Sequence, residues 1–193
     1  DLKLGETVEL GYVDQSRDEL DPENTVFQEI SGGHETLEIG NRPYHYRQYE
    51  QAFTQPNARV NTQMIEWACR QAGQLSGDLL ELYCGNGNFT LPLAAHFDNV
   101  IATELSKRSV RAARENMMTN GIDNIQIVRL AAEEVTQAIL GEREFRRLGE
   151  LPRPLGDYAL DTIFVDPPRA GLDPYTVKMA GDFGAAADEY VRC

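Results

Sequence analysis

Short apolar runs alternate with stretches of helical period through the second half of the chain. Asp78–Tyr83, Asn99–Glu104, Ile125–Arg129 and Thr162–Val165 are dense in aliphatic residues, the mark of strands buried on both faces. Ser106 to Asn120 and Ala132 to Leu140 lie between them and read as helices. Ser106 is a natural N-cap, and Asn120-Gly121 a natural stop. This alternation predicts an α/β fold with a parallel, Rossmann-like sheet covered on both faces. Upstream, Val60, Met64, Trp67, Ala68 and Gln71 mark one more helix, its Met and Trp expected in the core. Thr36–Tyr46 alternates on either side of Gly40-Asn41 and reads as a hairpin. Further back, Thr7–Asp14 alternates like a strand. Asp18 to Asn24 is an acidic turn, and Thr25 to Ile30 a short helix broken by Ser31-Gly-Gly33.

Composition narrows the classes. A chain of 193 residues with 41% apolar content supports one domain, or one with an appendage. No apolar run is long enough to span a bilayer, and no signal-peptide pattern is visible. Three unevenly spaced cysteines suit neither a disulfide framework nor a zinc site, and fit a reducing cytoplasm. The net charge of −13 argues against a broad phosphate-binding surface. Lys107, Arg108, Arg111 and Arg114 cluster, as do Arg143, Arg146 and Arg147, and both groups read as solvated faces. His34, His45 and His96 lack ligand spacing, so no metal is expected.

The chemistry concentrates at the ends of two strands. Asp78-Leu-Leu-Glu-Leu-Tyr-Cys-Gly-Asn-Gly-Asn-Phe-Thr90 is a strand, a turn bearing Gly85 and Gly87, and a helix opening. Glycines let the backbone approach a ligand closely, and a helix start leaves unpaired N–H groups beside it. Glu104 ends the next strand, where a carboxylate can accept hydrogen bonds from ribose hydroxyls. A dinucleotide site calls for a third glycine where Thr90 stands, so S-adenosylmethionine fits better than NAD; an NAD-dependent oxidoreductase remains the alternative enzyme. Asp161-Thr-Ile-Phe-Val-Asp-Pro-Pro-Arg169 is a second strand with a stiff loop at its carboxyl end, suited to holding a planar substrate beside the cofactor.

Two resemblances follow from quoted residues. Leu10-Gly-Tyr-Val-Asp-Gln-Ser-Arg-Asp18 resembles the glutamine-loop region of ABC-F ATPases, with Gln15 at the glutamine. No G-x-x-x-x-G-K-[ST] occurs in the chain, so ATPase activity is not expected. Arg47-Gln48, Phe53-Thr-Gln-Pro-Asn57, Glu81-Leu-Tyr-Cys-Gly-Asn-Gly-Asn-Phe89, Ala102-Thr-Glu104, Ala131-Ala-Glu-Glu134 and Asp166-Pro-Pro-Arg-Ala-Gly-Leu172 resemble the tRNA uracil-5-methyltransferases. The likeness runs from about residue 36 to 180. It implies a class I methyltransferase domain, S-adenosylmethionine as cofactor, and tRNA as substrate. It also implies that Gln55, Tyr83, Asn88, Glu104 and Asp166 contact the cofactor, beside Gly85 and Gly87 of the turn.

The same resemblance implies a cysteine that adds to carbon 6 of uracil, making carbon 5 nucleophilic enough to take a methyl group. A base then removes the carbon 5 proton, and the target must leave its stack to react. In the family that cysteine lies in Ser-Cys-Asn-Pro, which this chain lacks. Cys193 stands near the required distance and is the candidate nucleophile; Cys84 and Cys69 read as packing residues. The expected organisation is therefore an ABC-F-like segment over 1–35, a methyltransferase-like domain over 36–180, and an unrelated tail over 181–193. The chain is thus expected to be joined and truncated, without the family's RNA-binding part and outer strands. A non-catalytic binding module is the reading from another class. Thr162–Val165 is then expected at the sheet edge, open to self-association.

Overall fold

A computed structural model describes residues 36–46, 58–168, 171–186 and 191–192. The ABC-F-like segment, Gln55, Arg169 and Cys193 lie outside the described residues. Strands β1 (Thr36–Ile39) and β2 (Arg42–His45) form the expected antiparallel hairpin, turning at Gly40 with φ 59°. Helix α1 (Ala58–Ala72) follows. It buries Asn61, Ile65, Ala68 and Ala72, four positions on one helical face. Trp67, expected in the core, is 37% exposed, because its position falls off that face; Met64 is only partly buried.

The main sheet is parallel throughout, in the order β5-β4-β3-β6-β7. Its strands are β3 (Asp78–Leu82), β4 (Asn99–Thr103), β5 (Ile125–Val128), β6 (Leu160–Val165) and β7 (Val191–Arg192). Between β3 and β4 the helical segment is short. Helix α2 (Thr90–Leu93) gives way to a 3₁₀ turn over Ala94–His96. Helix α3 (Lys107–Thr119) starts at Ser106, whose hydroxyl accepts from the Ser109 N–H at 3.3 Å, and ends at Asn120, followed by Gly121 with φ 61°. Helix α4 (Ala132–Ile139) is followed by two 3₁₀ turns, Arg146–Glu150 and Leu155–Asp157. Helix α5 (Pro174–Ala186) runs through the boundary placed at residue 180.

Two apolar layers sandwich the sheet. On one face the hairpin, α1, α2 and α3 pack on Leu79, Val100, Ala102, Ile125, Ile127 and Phe164. On the other, Leu80, Leu82, Ile101 and Val128 meet Leu130, Val135, Tyr158 and Met179. The alternation along β3 is the period of two that a strand requires, and its central position buries all five residues. At its start the buried Asp78 carboxylate accepts from the Asn99 amide at 2.6 Å, the Ala159 N–H at 2.9 Å and the Arg153 guanidinium at 2.9 Å. These bonds tie the irregular segment before β6 to the sheet. One expectation needs correction at the other side. β6 is not the last strand, because β7 pairs with it, Phe164 opposite Val191 and Val165 opposite Arg192.

Candidate functional site

The site lies at the carboxyl ends of β3, β4 and β6, where open α/β sheets place their ligands. As the chain leaves β3, Tyr83 takes a positive φ of 62°, and Gly85 and Gly87 follow at 56° and 88°. Three left-handed residues in five reverse the chain over the end of the strand. For Tyr83 this conformation carries strain of roughly 1–2 kcal/mol, held by its surroundings. A Cβ on Gly85 would meet nothing within 4 Å, so that residue borders open space. A Cβ on Gly87 would stand 2.5 Å from Leu91 Cδ1, so that glycine serves helix packing.

Glu104 closes the loop from the neighbouring strand. Its Oε2 accepts from the Gly85 N–H at 3.1 Å and its Oε1 from the Ser106 N–H at 2.7 Å. The carboxylate thus fixes the glycine turn while each oxygen keeps accepting capacity for a further donor. Asn88 is held from outside the sheet. Its amide pairs reciprocally with that of Asn61, with both hydrogen bonds 2.8 Å, and its carbonyl accepts from the Tyr46 hydroxyl at 3.0 Å. The Asn116 amide donates to the Asn86 carbonyl at 3.0 Å.

Acidic groups dominate the electrostatics. Glu81 shares the face of Leu79 and is 1% exposed. Burial pushes its carboxyl up to about 8, and the nearby Asp166 charge adds to the rise. The neighbouring Thr90 hydroxyl opposes it, although no hydrogen bond of proper geometry joins them. Among the described residues, Glu81 Oε2 and Thr90 Oγ1 are buried without partners. Asp166, half-buried after β6, is also raised by burial. The Tyr83 hydroxyl donates to Asp173 Oδ2 at 3.5 Å, and burial first, then Asp173, raises its pKa. Asp173 in turn caps α5, accepting from the Thr176 N–H at 3.0 Å and the Thr176 hydroxyl at 2.5 Å.

Of the residues expected at the site, Tyr83, Gly85, Gly87, Asn88, Glu104 and Asp166 therefore share one end of the sheet. Sequence reading missed Glu81, Asn61 and Asp173. A glutamate inside a leucine run is a visible signal for the first; the other two act through bonds 27 and 90 residues away, which no local pattern reveals. Neither described cysteine is primed as a nucleophile. Burial pushes the Cys69 thiol up to about 11 and also raises Cys84. Three of the clustered basic residues are engaged. Arg111 pairs with Glu115 at 2.9 Å, Arg114 donates to the Ile127 carbonyl at 2.8 Å, and Arg143 lies over the Phe145 ring. Among the described residues no group of acidic, His or Cys side chains could hold a metal, and no helix is long and apolar enough to cross a membrane.

Comparison with known proteins locates this arrangement. A tRNA/tmRNA (uracil-C(5))-methyltransferase of Neisseria gonorrhoeae is 61% identical over 159 residues, covering 82% of this chain and 43% of the relative. The Acinetobacter baumannii protein of the same description is 56% identical, with 82% and 44% covered. The chain thus spans less than half the length of the curated relatives it matches. Among solved structures, the Pyrococcus abyssi tRNA (uracil-54, C5)-methyltransferase in complex with S-adenosyl-L-homocysteine superposes with a TM-score of 0.53. Its sequence identity is 22%, with 79% of this chain and 33% of that one covered. A Thermus thermophilus 16S rRNA N2 G1207 methyltransferase in complex with AdoMet and guanosine gives 0.54 at 18% identity, covering 78% and 38%. These two likenesses establish the fold. The tRNA (uracil-5-)-methyltransferase family model matches residues 26–193, through the glycine turn, the Asp-Pro-Pro loop and on to the last residue. With most of the chain inside that match, and identity near 60% to the curated sequences, the chain belongs to the tRNA (uracil-5-)-methyltransferase family.

Proposed function

We propose that the glycine turn holds S-adenosylmethionine and that this chain is the cofactor-binding part of an enzyme methylating carbon 5 of uridine in tRNA. The observation that carries the reading is Glu104, anchored on the Gly85 and Ser106 amides beside the open space at Gly85. There it can accept from a ribose hydroxyl. The carboxylates of Asp166 and Asp173, near Glu81 and Tyr83, add an acidic surround that favours a cationic ligand and opposes the pyrophosphate of NAD. The orphaned oxygens of Glu81 and Thr90 beneath the turn also suit a ligand or water that brings donors. When bound, the cofactor supplies an electrophilic methyl group. The chain's own residues bind and orient it: Glu104 at the ribose, Gly85 leaving room, and Tyr83, Asn88 and Asp166 around it, with Gln55 a further contact implied by family resemblance.

Cys193 is the residue we assign to attack on uracil. The β6–β7 ladder ends at Val165 and Arg192, and the next residues along the chain are Asp166 and Cys193. The substrate is tRNA and the compartment the cytoplasm, as for a tRNA-modifying enzyme.

Calorimetric titration tests the cofactor site. S-adenosylhomocysteine is expected to bind and NAD not to; binding of NAD alone would make the oxidoreductase reading correct, and binding of neither would leave the non-catalytic module. Glu104→Ala should weaken S-adenosylhomocysteine about tenfold to a hundredfold, as loss of a charge-assisted hydrogen bond does. An unchanged dissociation constant removes Glu104 from the site. With labelled cofactor and unmodified tRNA, methyl transfer by this span is expected in trace only and should vanish in Cys193→Ala. Transfer that survives the substitution rules the cysteine out.

A further inference from the structure

Among the described residues, Asn88 is held from outside the sheet by two residues of the segment before β3, Asn61 and Tyr46. Its side-chain amide faces the amide of Asn61 on α1, each donating to the other at 2.8 Å. Its backbone carbonyl accepts from the hydroxyl of Tyr46, the buried residue that follows β2. A reciprocal amide pair has one good geometry, since each group must present a donor and an acceptor together. It consumes one N–H and one oxygen lone-pair site of Asn88 and aims the remaining N–H and lone pair in fixed directions. Asn61 is 5% exposed, so its amide loses water on folding and depends on Asn88 for both bonds.

We infer that Asn61 is a positioning residue for cofactor binding, acting through Asn88 by locking its amide in the orientation the cofactor meets. The inference rests on the reading of the glycine turn as the cofactor site. Without Asn61, the half-buried Asn88 side chain turns between several rotamers and water partners. If the competent orientation falls to about a tenth of the population, affinity falls about tenfold in proportion. The Tyr46 hydroxyl acts on the same residue from the hairpin and holds its main chain.

The test combines a binding cycle with a readout that needs no ligand. S-adenosylhomocysteine affinity is measured for the wild type, Asn61→Ala, Asn88→Ala and the double variant. Asn61→Ala should weaken binding about tenfold, and in the Asn88→Ala background it should cost almost nothing more. Equal, additive losses in both backgrounds would mean that Asn61 acts on the fold generally, and would overturn the inference while leaving the cofactor site standing. In the ligand-free protein, amide hydrogen exchange should rise at Gly87 and Leu91, whose N–H groups bond to Cys84 and Gly87 carbonyls, and stay unchanged at Val100 in β4. Tyr46→Phe, which removes a single oxygen, should produce the same local pattern. Unchanged exchange at Gly87 and Leu91 in both variants would refute the clamp whatever the ligand does. Failure of the wild type to bind, with the exchange pattern as expected, would count against the cofactor reading alone.

Discussion

Replacing Glu81 by Gln should remove a component of the pH dependence of folding. Glu81 is fully buried, and its carboxyl is pushed from an ordinary 4.5 up to about 8. Between those values the unfolded chain releases a proton that the folded chain keeps. The folded state then binds more protons, so stability falls as pH rises. The stabilisation is complete below pH 4.5 and is lost progressively up to about pH 8, above which both states are ionised. Each pH unit in the window is worth at most about 1.4 kcal/mol, giving on the order of 5 kcal/mol across it. Glutamine keeps the shape of the protonated acid, with one donor and one acceptor side, and does not titrate. Urea unfolding of wild type and Glu81→Gln at pH 5, 6, 7 and 8 measures the difference, and taking the difference cancels the other carboxylates. The variant should gain on the wild type at each step, with the gain levelling off near pH 8. A gap constant from pH 5 to 8, or one that narrows, would refute the buried neutral acid.

Other substitutions probe separate parts of the site. Gly87→Ala should cost about 1–3 kcal/mol in urea unfolding, combining the strain of its φ of 88° with displacement of the buried Leu91. Gly85→Ala carries the φ cost alone, so it should be the milder change in stability yet the worse for S-adenosylhomocysteine binding. The reverse order would overturn the division of labour between the two glycines. The outer edge of β6 from Leu160 to Ile163 has no strand partner among the described residues, and light scattering over a range of concentrations should show dimers or larger species. A monomer at every concentration refutes association through that edge.

Much of this architecture is legible along the chain because its signals are local. Asp78–Tyr83, Asn99–Glu104 and Ile125–Arg129 match β3, β4 and β5 to within a residue, since buried parallel strands leave continuous apolar runs. The Ser106 cap and the Gly40 turn are equally direct, each set by one residue's own chemistry. The helix after the glycine turn is less so, since Thr90–Ala95 yields only one α turn before tightening to 3₁₀. Trp67 shows the limit of periodicity, because hydrophobicity ranks residues without saying which face of α1 meets the sheet. The site itself divides the same way. Glycines and Glu104 announce themselves by type and spacing, whereas the Asn61–Asn88 pair and the Tyr83–Asp173 bond exist only after distant segments meet.

The cluster at Asp78 also sets an order of assembly. Its carboxylate joins Asn99, 21 residues ahead, and Ala159, 81 residues ahead. Closing the longer span costs about 1.2 kcal/mol more chain entropy than the shorter, and nothing bound at Ala159 can compensate until residue 159 has left the ribosome. The β3–β4 ladder, and with it the Gly85–Glu104 bond, can close while the chain is still emerging. β6 then docks on the open side of β3 and brings Asp166 last. The Gly85–Glu104 side of the cleft is thus built early in the life of the chain, and the Asp166 side is added to a surface already in place.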